Sequence, residues 1–298
     1  MLRITVLLAI LFIFSCKENT QQLEEATLTE VKPSVLIETF RFNKDNVAPL
    51  ISVHRGGSGL ANFPENCLET LQYVNDSISA IFEIDVAKTK DGVLVLMHDN
   101  TLERTTTGND KLDKYTFDEL QAFILVDDFG NETTFKIPKL KDVLVWAKNN
   151  QAILTIDIKR TVDVSEVIKA IREQQAEDYS VIITYDVKQA LKAHELAPDL
   201  LLSVTARNQE ELTWLLETDI PTENMIAFTG TRLSDAKLYN ELHNLGIQTM
   251  LGTLGNLDKQ AESKGDSLYK AWHNMGIDVF ATDRPFQAAA ALDIIKQE

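Results

Sequence analysis

The chain is short of cysteine, of basic residues and of long apolar runs, and each shortage excludes a class of protein. Cysteine occurs twice in 298 residues, so at most one disulfide bond can form. Lysine and arginine together number 29, against 45 aspartate and glutamate residues, and the formal net charge is −16. A general nucleic-acid-binding protein needs a basic face, as does a protein that docks broadly on anionic lipid, so this charge argues against both. The glycine patterns of Rossmann-type and P-loop proteins are also missing from the sequence.

The N-terminal residues have the pattern of an export signal. The apolar run Ile4–Phe14 is too short to span a bilayer but suits the apolar part of a signal peptide. A small residue precedes Cys16 and a polar segment follows it, which resembles the lipobox of bacterial lipoproteins. We therefore predict that residues 1–16 are a lipoprotein signal peptide ending at a lipidated Cys16; the alternatives are a plain signal peptide and an uncleaved anchor. If Cys16 carries lipid, Cys67 has no partner for an intrachain disulfide bond.

These features predict an exported protein that is lipid-anchored to a bacterial membrane, on its periplasmic or cell-surface side. Residues 17–46 are poor in aromatic residues and rich in glutamate, threonine and glutamine. Such a composition predicts a flexible tether. Residues 47–298 are then expected to form the folded domain.

From Leu50 onward, short apolar or β-branched runs alternate with longer amphipathic stretches. This alternation predicts parallel strands joined by crossover helices. Eight such units in this length favour a closed (β/α)8 TIM barrel over an open doubly wound sheet. The predicted strands are Leu50–His54, Ala80–Val86, Ile153–Lys159, Ser180–Thr184, Leu200–Val204, Met225–Phe228, Ile247–Leu251 and Asp278–Ala281. The predicted helices are Glu65–Val74, Lys139–Lys148, Val164–Gln174, Val187–Leu196, Asn208–Glu217, Ser234–Leu245, Ser263–Met275 and Pro285–Lys296.

One interval breaks this rhythm, and we predict a small insertion after the second strand, at about residues 99–137. Within it, Thr116 is followed three residues later by Glu119, a capping-box pattern that predicts a short helix over Thr116–Ala122. Loops that follow barrel strands lie at the C-terminal mouth, where active sites are built. The insertion is therefore expected to lie over the mouth.

Acidic side chains recur at alternating positions of two predicted strands. Glu83 and Asp85 lie two residues apart, so they point to the same side of their strand. Two carboxylates at close range are unfavourable unless a cation or proton lies between them, and Mg²⁺ or Ca²⁺, which prefer oxygen ligands, would meet that need. On the next strand Asp157 and Lys159 also share a face, which predicts a third carboxylate ligand and a cation for phosphate oxygens. The alternative for this second pair is an Asp–Lys salt bridge within the barrel.

Two histidines end strand-like runs. His54 ends the first predicted strand and is followed by Arg55 and two glycines, while His98 ends the run Gly92–His98. An imidazole titrates near neutral pH, so two of them on neighbouring loops can serve as base and acid across one phosphorus centre. With the carboxylates and Arg55, this inventory suits attack on a phosphodiester.

Seven short motifs follow one another along the chain in an order that is typical of one family. They are His54-Arg55-Gly56, Pro64-Glu65-Asn66, Glu83-x-Asp85, Asp91-Gly92, His98-Asp99, Thr101-Leu102-x-Arg104-Thr105-Thr106 and Thr282-Asp283-Arg284-Pro285. The set resembles the glycerophosphodiester phosphodiesterase family over about residues 50–290. The resemblance implies a (β/α)8 barrel with a small insertion after strand 2 and one bound divalent cation, Ca²⁺ or Mg²⁺. It also implies a small-molecule glycerophosphodiester substrate that is cleaved to glycerol phosphate and an alcohol.

The resemblance further implies a role for each site residue. The implied roles are acid and base for His54 and His98, metal ligands for Glu83, Asp85 and Asp157, phosphate contacts for Arg55 and Lys159, and a supporting acid near the metal for Glu65. The alternative for Glu65 is a favourable charge at a helix N-terminus. Asp157 departs from the family, which generally has a glutamate there, so its reach to an ion is one methylene shorter. Cys67 stands where threonine is usual.

Two other functions are compatible with the sequence. In the first, the barrel cleaves intact phospholipids or sphingolipids in a phospholipase-D-like manner, which requires an apolar rim at the mouth. The insertion offers five apolar candidates for such a rim: Phe117, Phe123, Ile124, Leu125 and Phe129. In the second, the chain is a non-catalytic tethered binding lipoprotein. All three functions involve a membrane partner through the N-terminal lipid anchor and no nucleic acid.

Overall fold

Eight parallel strands close into a barrel within the described part of the chain, residues 32–45 and 48–294 of a computed structural model. The strands are β1 Leu50–Val53, β2 Ile81–Lys88, β3 Leu94–Leu96, β4 Leu154–Ile158, β5 Ser180–Ile183, β6 Leu201–Thr205, β7 Met225–Phe228, β8 Gln248–Gly252 and β9 Val279–Thr282. The helices are α1 Val35–Thr39, α2 Leu68–Ser77, α3 Phe117–Leu120, α4 Leu140–Asn150, α5 Val164–Gln174, α6 Val187–Leu196, α7 Gln209–Leu216, α8 Ala236–Asn244, α9 Asn256–Lys264, α10 Ser267–His273 and α11 Pro285–Ala291.

The order of the strands around the barrel follows the chain. β2 pairs with β1 on one side and with β4 on the other, and the series continues to β9, which pairs in parallel with β1. β3 lies outside this ring, antiparallel to the C-terminal end of β2. The predicted (β/α)8 TIM barrel is thus confirmed. The predicted lipidation site Cys16 and the signal peptide lie outside the described residues.

Most elements lie within a few residues of their predicted bounds, and two predicted helices are wrong for identifiable reasons. The stretch Ser263–Met275 was expected as one helix, but it contains the end of α9 and all of α10. Gly265, with φ at +115°, ends α9. The helix expected over Glu65–Val74 begins only at Leu68, because Asn66 has a positive φ of 52°. Those first residues therefore belong to the loop that builds the site.

The segment expected to be a flexible tether is folded over residues 34–42. Ser34 caps α1, and the apolar side chains of Leu36 and Phe40, each 2% exposed, pack against apolar residues near the N-terminal ends of the barrel strands. The backbone N–H of Phe42 donates to the carbonyl of Gly246. The tether prediction is wrong here because two apolar residues four positions apart suffice to bury one face of a short helix. Within the described residues, no helix has both the length and the apolar character needed to cross a membrane.

The insertion forms a small apolar cluster of its own beside β2 and β3. α3 begins with the predicted capping box, in which Thr116 and Glu119 exchange side-chain-to-backbone hydrogen bonds. Cys67 is fully buried in this cluster together with Leu102 and Leu120. The cluster anchors the loop that follows β3 and so fixes the segment that carries His98.

Candidate active site

The register between two parallel strands brings the predicted carboxylates together. Asp85 on β2 lies directly opposite Asp157 on β4, and Glu83 precedes Asp85 on the same side of β2. Ile84, between them, is fully buried in the large cluster that includes the barrel helices. Carboxylate oxygens of Glu83, Asp85 and Asp157 lie within 4.8 Å of one another. The structure therefore places the three predicted ligands in one cluster, and their role as ligands stays a prediction.

The cluster has a shortage of positive charge. Burial, followed by repulsion from Asp85 and Asp157, raises the pKa of Glu83 well above its usual range. Burial would also raise the pKa of Asp85, but the charge and hydrogen bond of Lys159 and the hydrogen bond of Asn66 outweigh it and lower that pKa. Three buried carboxylates that cannot all ionise freely are the donor set that a hard divalent cation would stabilise.

Lys159 lies between two of these carboxylates. Its Nζ is 2.5 Å from Asp85 Oδ1 and 2.9 Å from Asp157 Oδ2. The salt bridge that the sequence allowed as an alternative is therefore present, and it extends to the neighbouring strand. The ammonium group would also lie close to a phosphate bound at the cluster. Its contact with phosphate stays a prediction.

Asn66 holds Asp85 in place. Its Nδ2 donates to Asp85 Oδ2 at 2.7 Å, and its Oδ1 accepts from the backbone N–H of Asp85 at 2.9 Å. The backbone N–H of Asn66 donates to the carbonyl of Arg55. The sequence showed Asn66 within a motif without indicating this function. The positive φ of this residue is one that asparagine tolerates better than most residues.

Each predicted catalytic histidine is paired with an aspartate that sequence reasoning did not assign. His54 Nδ1 lies 2.6 Å from Asp283 Oδ1, and His98 Nδ1 lies 2.6 Å from Asp99 Oδ1. A carboxylate on Nδ1 orients an imidazole and directs Nε2 towards the reaction. The signals were present in the sequence, since Asp99 follows His98 directly and Asp283 belongs to the late motif. Asp283 reaches His54 because β9 closes the barrel against β1.

Arg55 connects the carboxylate cluster to His98. Its backbone N–H donates to Glu83 Oε2 at 2.7 Å, and this geometry requires the positive φ of 51° at Arg55. Its guanidinium Nη1 donates to Glu65, and Nη2 lies 2.8 Å from His98 Nε2. Because a guanidinium can only donate, this contact makes Nε2 of His98 the acceptor and leaves Nδ1 to face Asp99 as the donor.

Glu65 and Arg104 complete a ring of charged groups around His98. Glu65 is 4% exposed and accepts from Arg55 and, through two hydrogen bonds of 2.7 and 2.9 Å, from Arg104. Arg104 Nε also donates to Asp99 at 2.6 Å, and this bond is the main reason why the pKa of Asp99 falls to about 2. Glu65 lies three residues before α2 begins, so it supports the arginines rather than the helix N-terminus. Arg104 is a site residue that the sequence showed only as part of a motif.

Tyr185, at the C-terminal end of β5, also belongs to the site. Partial burial and the charge of Asp157, which accepts a hydrogen bond from the phenol, raise the pKa of Tyr185 above its usual range. Tyr185 is nevertheless 56% exposed. Sequence reasoning missed Tyr185, and its only signal was its position directly after a predicted strand.

Comparisons with known proteins converge on one family and one fold. The sequence model of the glycerophosphoryl diester phosphodiesterase family matches residues 54–285. A glycerophosphodiester phosphodiesterase of Caldanaerobacter subterraneus is 29% identical over 161 residues, which are 52% of this chain and 65% of that protein. The chain thus spans a little under two thirds of the length of the first curated relatives it matches.

Solved structures share the fold. A glycerophosphoryl diester phosphodiesterase from Parabacteroides distasonis superposes with a TM-score of 0.82 at 33% identity, covering 90% of this chain and 95% of that one. A phosphodiesterase from Oleispira antarctica, solved with the product sn-glycerol-3-phosphate, gives a TM-score of 0.67 at 19% identity, with 86% and 99% covered. At that lower identity the likeness concerns the fold alone.

Proposed function

The chain belongs to the glycerophosphoryl diester phosphodiesterase family, a family of phosphoric diester hydrolases, and we propose that it cleaves glycerophosphodiesters to glycerol phosphate and an alcohol. One observation carries this proposal: a cluster of three carboxylates lies beside two histidines that aspartates orient. Such a site can bind a phosphodiester, move protons on both sides of it and stabilise the charge that develops on phosphorus-bound oxygens.

One divalent cation, Ca²⁺ or Mg²⁺, fits the residues of the cluster. Glu83, Asp85 and Asp157 offer only oxygen ligands, and burial together with the charges of Asp85 and Asp157 raises the pKa of Glu83, which a bound cation would oppose. When bound, the ion would supply Lewis-acid polarisation of the phosphoryl oxygens. The shorter reach of Asp157 relative to a glutamate makes this ligand the one most sensitive to ion size.

Arg55 and Lys159 would bind the phosphate oxygens. Lys159 places its ammonium group at the carboxylate cluster, and Arg55 donates its backbone N–H to Glu83 there while its guanidinium contacts Glu65 and His98. In a chain of net charge −16, these two groups supply the local positive charge that an anionic substrate requires. An arginine also presents two parallel donors to a phosphate.

The hydrogen bond from Arg55 favours His98 as the base. It requires a lone pair on Nε2 of His98, and when the guanidinium turns to the phosphate that lone pair can accept a proton from the attacking water, whose oxygen bonds to phosphorus as the bond to the alcohol oxygen breaks. Nε2 of His54 then gives a proton to the oxygen of the departing alcohol. Asp283 and Asp99 hold the two rings in the orientation that this exchange needs.

A product assay on metal-stripped protein tests the proposal. We expect glycerol phosphate to form from glycerophosphocholine and glycerophosphoethanolamine when Ca²⁺ or Mg²⁺ is restored, and not in excess chelator. His54→Ala and His98→Ala should each lose most of the turnover, while the control His273→Asn keeps it, because His273 pairs with a backbone carbonyl at the end of α10. Near-wild-type turnover in either active-site variant would contradict the acid–base assignment. Turnover that depends on added metal would exclude the non-catalytic binding lipoprotein.

Cleavage of intact lipid is less well supported. Of the five apolar residues of the insertion that were expected to form a rim, Phe129 is 64% exposed, whereas Leu125 is buried and Phe117, Phe123 and Ile124 are half-buried. These residues mainly fill or flank the core of the insertion. Equal rates on a soluble diester and on the matching phospholipid in micelles would support the lipid function instead.

We also propose that the protein is exported and anchored through lipid on Cys16, on the periplasmic or cell-surface side of a bacterial membrane. The short apolar run followed by a small residue and cysteine supports this assignment. Metabolic labelling with palmitate should mark the wild-type chain and leave Cys16→Ser unlabelled. Equal labelling of both would contradict it.

A further inference from the structure

A recess of about 670 Å³ opens beside the carboxylate cluster, between the loop that joins β4 to α5 and the loop that joins β5 to α6. Asp157 and Lys159 form part of its wall, so it is continuous with the site of the proposed reaction. Its volume is typical of small-molecule pockets, which measure roughly 300–1,000 Å³. A three-carbon glycerol would fill only a small part of it.

The wall of the recess contains an aromatic side chain and charged side chains of both signs. Tyr185 contributes an aromatic ring that is 56% exposed and whose hydroxyl is hydrogen-bonded to Asp157. Three cations and three carboxylates complete the charged part of the lining: Lys159, Arg160, Lys192, Asp157, Asp163 and Asp186.

Five of these six charged groups already have partners. Lys159 pairs with Asp157 at 2.9 Å, and Lys192 pairs with Asp163 at 2.6 Å. Asp186 caps α6 by accepting from the backbone N–H of Gln189.

Arg160 is the exception. It follows Lys159 at the end of β4 and its side chain is exposed. Among the residues that the structure describes, no carboxylate oxygen lies within 4.0 Å of the guanidinium nitrogens of Arg160, the distance that defines an ion pair. An uncommitted guanidinium on the wall of a pocket is suited to bind a carboxylate or phosphate through two parallel hydrogen bonds.

We propose that this recess binds the alcohol moiety of the diester and that Arg160 selects moieties that carry an anionic group, of which a carboxylate is the smallest. The inference rests on the proposed function. It assigns the recess to the alcohol because the glycerol half is common to every substrate and needs little space. It assigns the charge preference to Arg160 because the other charged groups of the lining are paired or cap a helix.

Two substrates that differ by a single carboxylate test this assignment: glycerophosphoserine and glycerophosphoethanolamine. In Arg160→Gln, kcat/KM for glycerophosphoserine should fall about tenfold, the effect of losing one charge-assisted contact. The change should appear mainly in KM, because Arg160 contacts a part of the substrate remote from the reacting atoms. For glycerophosphoethanolamine, kcat/KM should change by less than about twofold, a change that weak surface electrostatics allow.

Two further variants serve as controls. Arg160→Lys keeps the positive charge but lacks the planar pair of guanidinium donors. Its kcat/KM for glycerophosphoserine should therefore lie between those of Arg160→Gln and the wild type. Arg41→Gln removes an exposed arginine that lies beside Ile247 at the N-terminal end of the barrel, away from the mouth, and should leave both substrates unchanged. Melting curves of the variants establish that each is folded.

The outcomes separate this inference from the function on which it rests. If the metal-loaded wild type cleaves neither diester, the proposed function fails and the recess loses its substrate. If it cleaves both, but Arg160→Gln lowers the two kcat/KM values equally or leaves both unchanged, the function stands and the assignment of Arg160 is overturned.

Discussion

Arg55 Nη2 donates to His98 Nε2 at 2.8 Å, and this bond joins the two halves of the site. The same residue donates its backbone N–H to Glu83 in the carboxylate cluster. A phosphate that enters the cluster must compete with His98 for the guanidinium. In the proposed function, substrate binding and release of the imidazole lone pair would therefore be coupled through this one side chain.

Arg55→Lys should uncouple these events. Lysine keeps the backbone hydrogen bond to Glu83 and one positive charge, but its ammonium group cannot donate hydrogen bonds to a phosphate, Glu65 and His98 at the same time. We expect kcat/KM to fall by about 100-fold, the effect of losing a bidentate charged contact in the transition state. ¹⁵N NMR of the imidazole should show the His98 proton on Nδ1 in both proteins, held there by Asp99, and a changed Nε2 resonance in the variant, because that nitrogen loses the guanidinium donor. An unchanged Nε2 resonance together with an unchanged rate would contradict the coupling.

Replacing the aspartates that orient the histidines should lower turnover without weakening substrate binding. Asp283→Asn and Asp99→Asn keep the size of the side chain but favour the wrong tautomer of the paired ring. By analogy with other oriented histidines, kcat should fall by about 10²- to 10⁴-fold while KM stays nearly constant. Asp293→Asn, at an exposed pair with Lys270, is the matched control and should behave as the wild type. A change in KM alone would show that the aspartates only shape the pocket.

The carboxylate cluster could be predicted because it follows from local rules. Alternation along a strand places Glu83 and Asp85 on one side, and parallel strands bring their C-terminal ends to one mouth. The register of β2 against β4 then sets Asp157 beside Asp85. The first two steps are local, whereas the register pairs residues that lie far apart in the sequence and is read from the structure.

The remaining contacts depend on closure and packing, which sequence patterns do not encode locally. His54 and Asp283 are 229 residues apart and meet only because β9 pairs with β1. Tyr185 reaches Asp157 from a separate strand, with no spacing rule to indicate it. The fold of α1 was missed because residues 17–46 as a whole are rich in glutamate, threonine and glutamine, while the apolar side chains that dock α1, chiefly Leu36 and Phe40, are few.

Glu83→Gln should have opposite effects on the metal-free and metal-loaded protein. Burial and the charges of Asp85 and Asp157 disfavour the ionised form of Glu83, so a neutral amide should raise the unfolding free energy of metal-free protein by on the order of 1 kcal/mol. The same change removes a ligand, so the increase in Tm on adding Ca²⁺ or Mg²⁺ should be lost. Thermal melts with chelator and with metal measure both effects. A variant that keeps the full metal-dependent shift would show that Glu83 does not bind the ion.

The pair of Arg104 with Asp99 should make stability depend on pH in acid. The pKa of Asp99 is about 2 in the folded protein against 3.8 for an ordinary aspartate, so the folded state binds this proton less tightly than the unfolded state. The stabilisation is therefore complete above about pH 4 and disappears as the pH falls towards 2. Because the pair is partly exposed and screened, Asp99→Asn, which leaves the bonds of Arg104 to Glu65 in place, should lower the unfolding free energy at pH 6 by on the order of 1 kcal/mol. Urea unfolding at pH 2.5 should show a smaller difference from wild type, whereas Asp293→Asn, at the exposed pair with Lys270, should show little difference at either pH. A difference for Asp99→Asn that is the same at both values would mean that this carboxyl group acts through packing rather than through its charge.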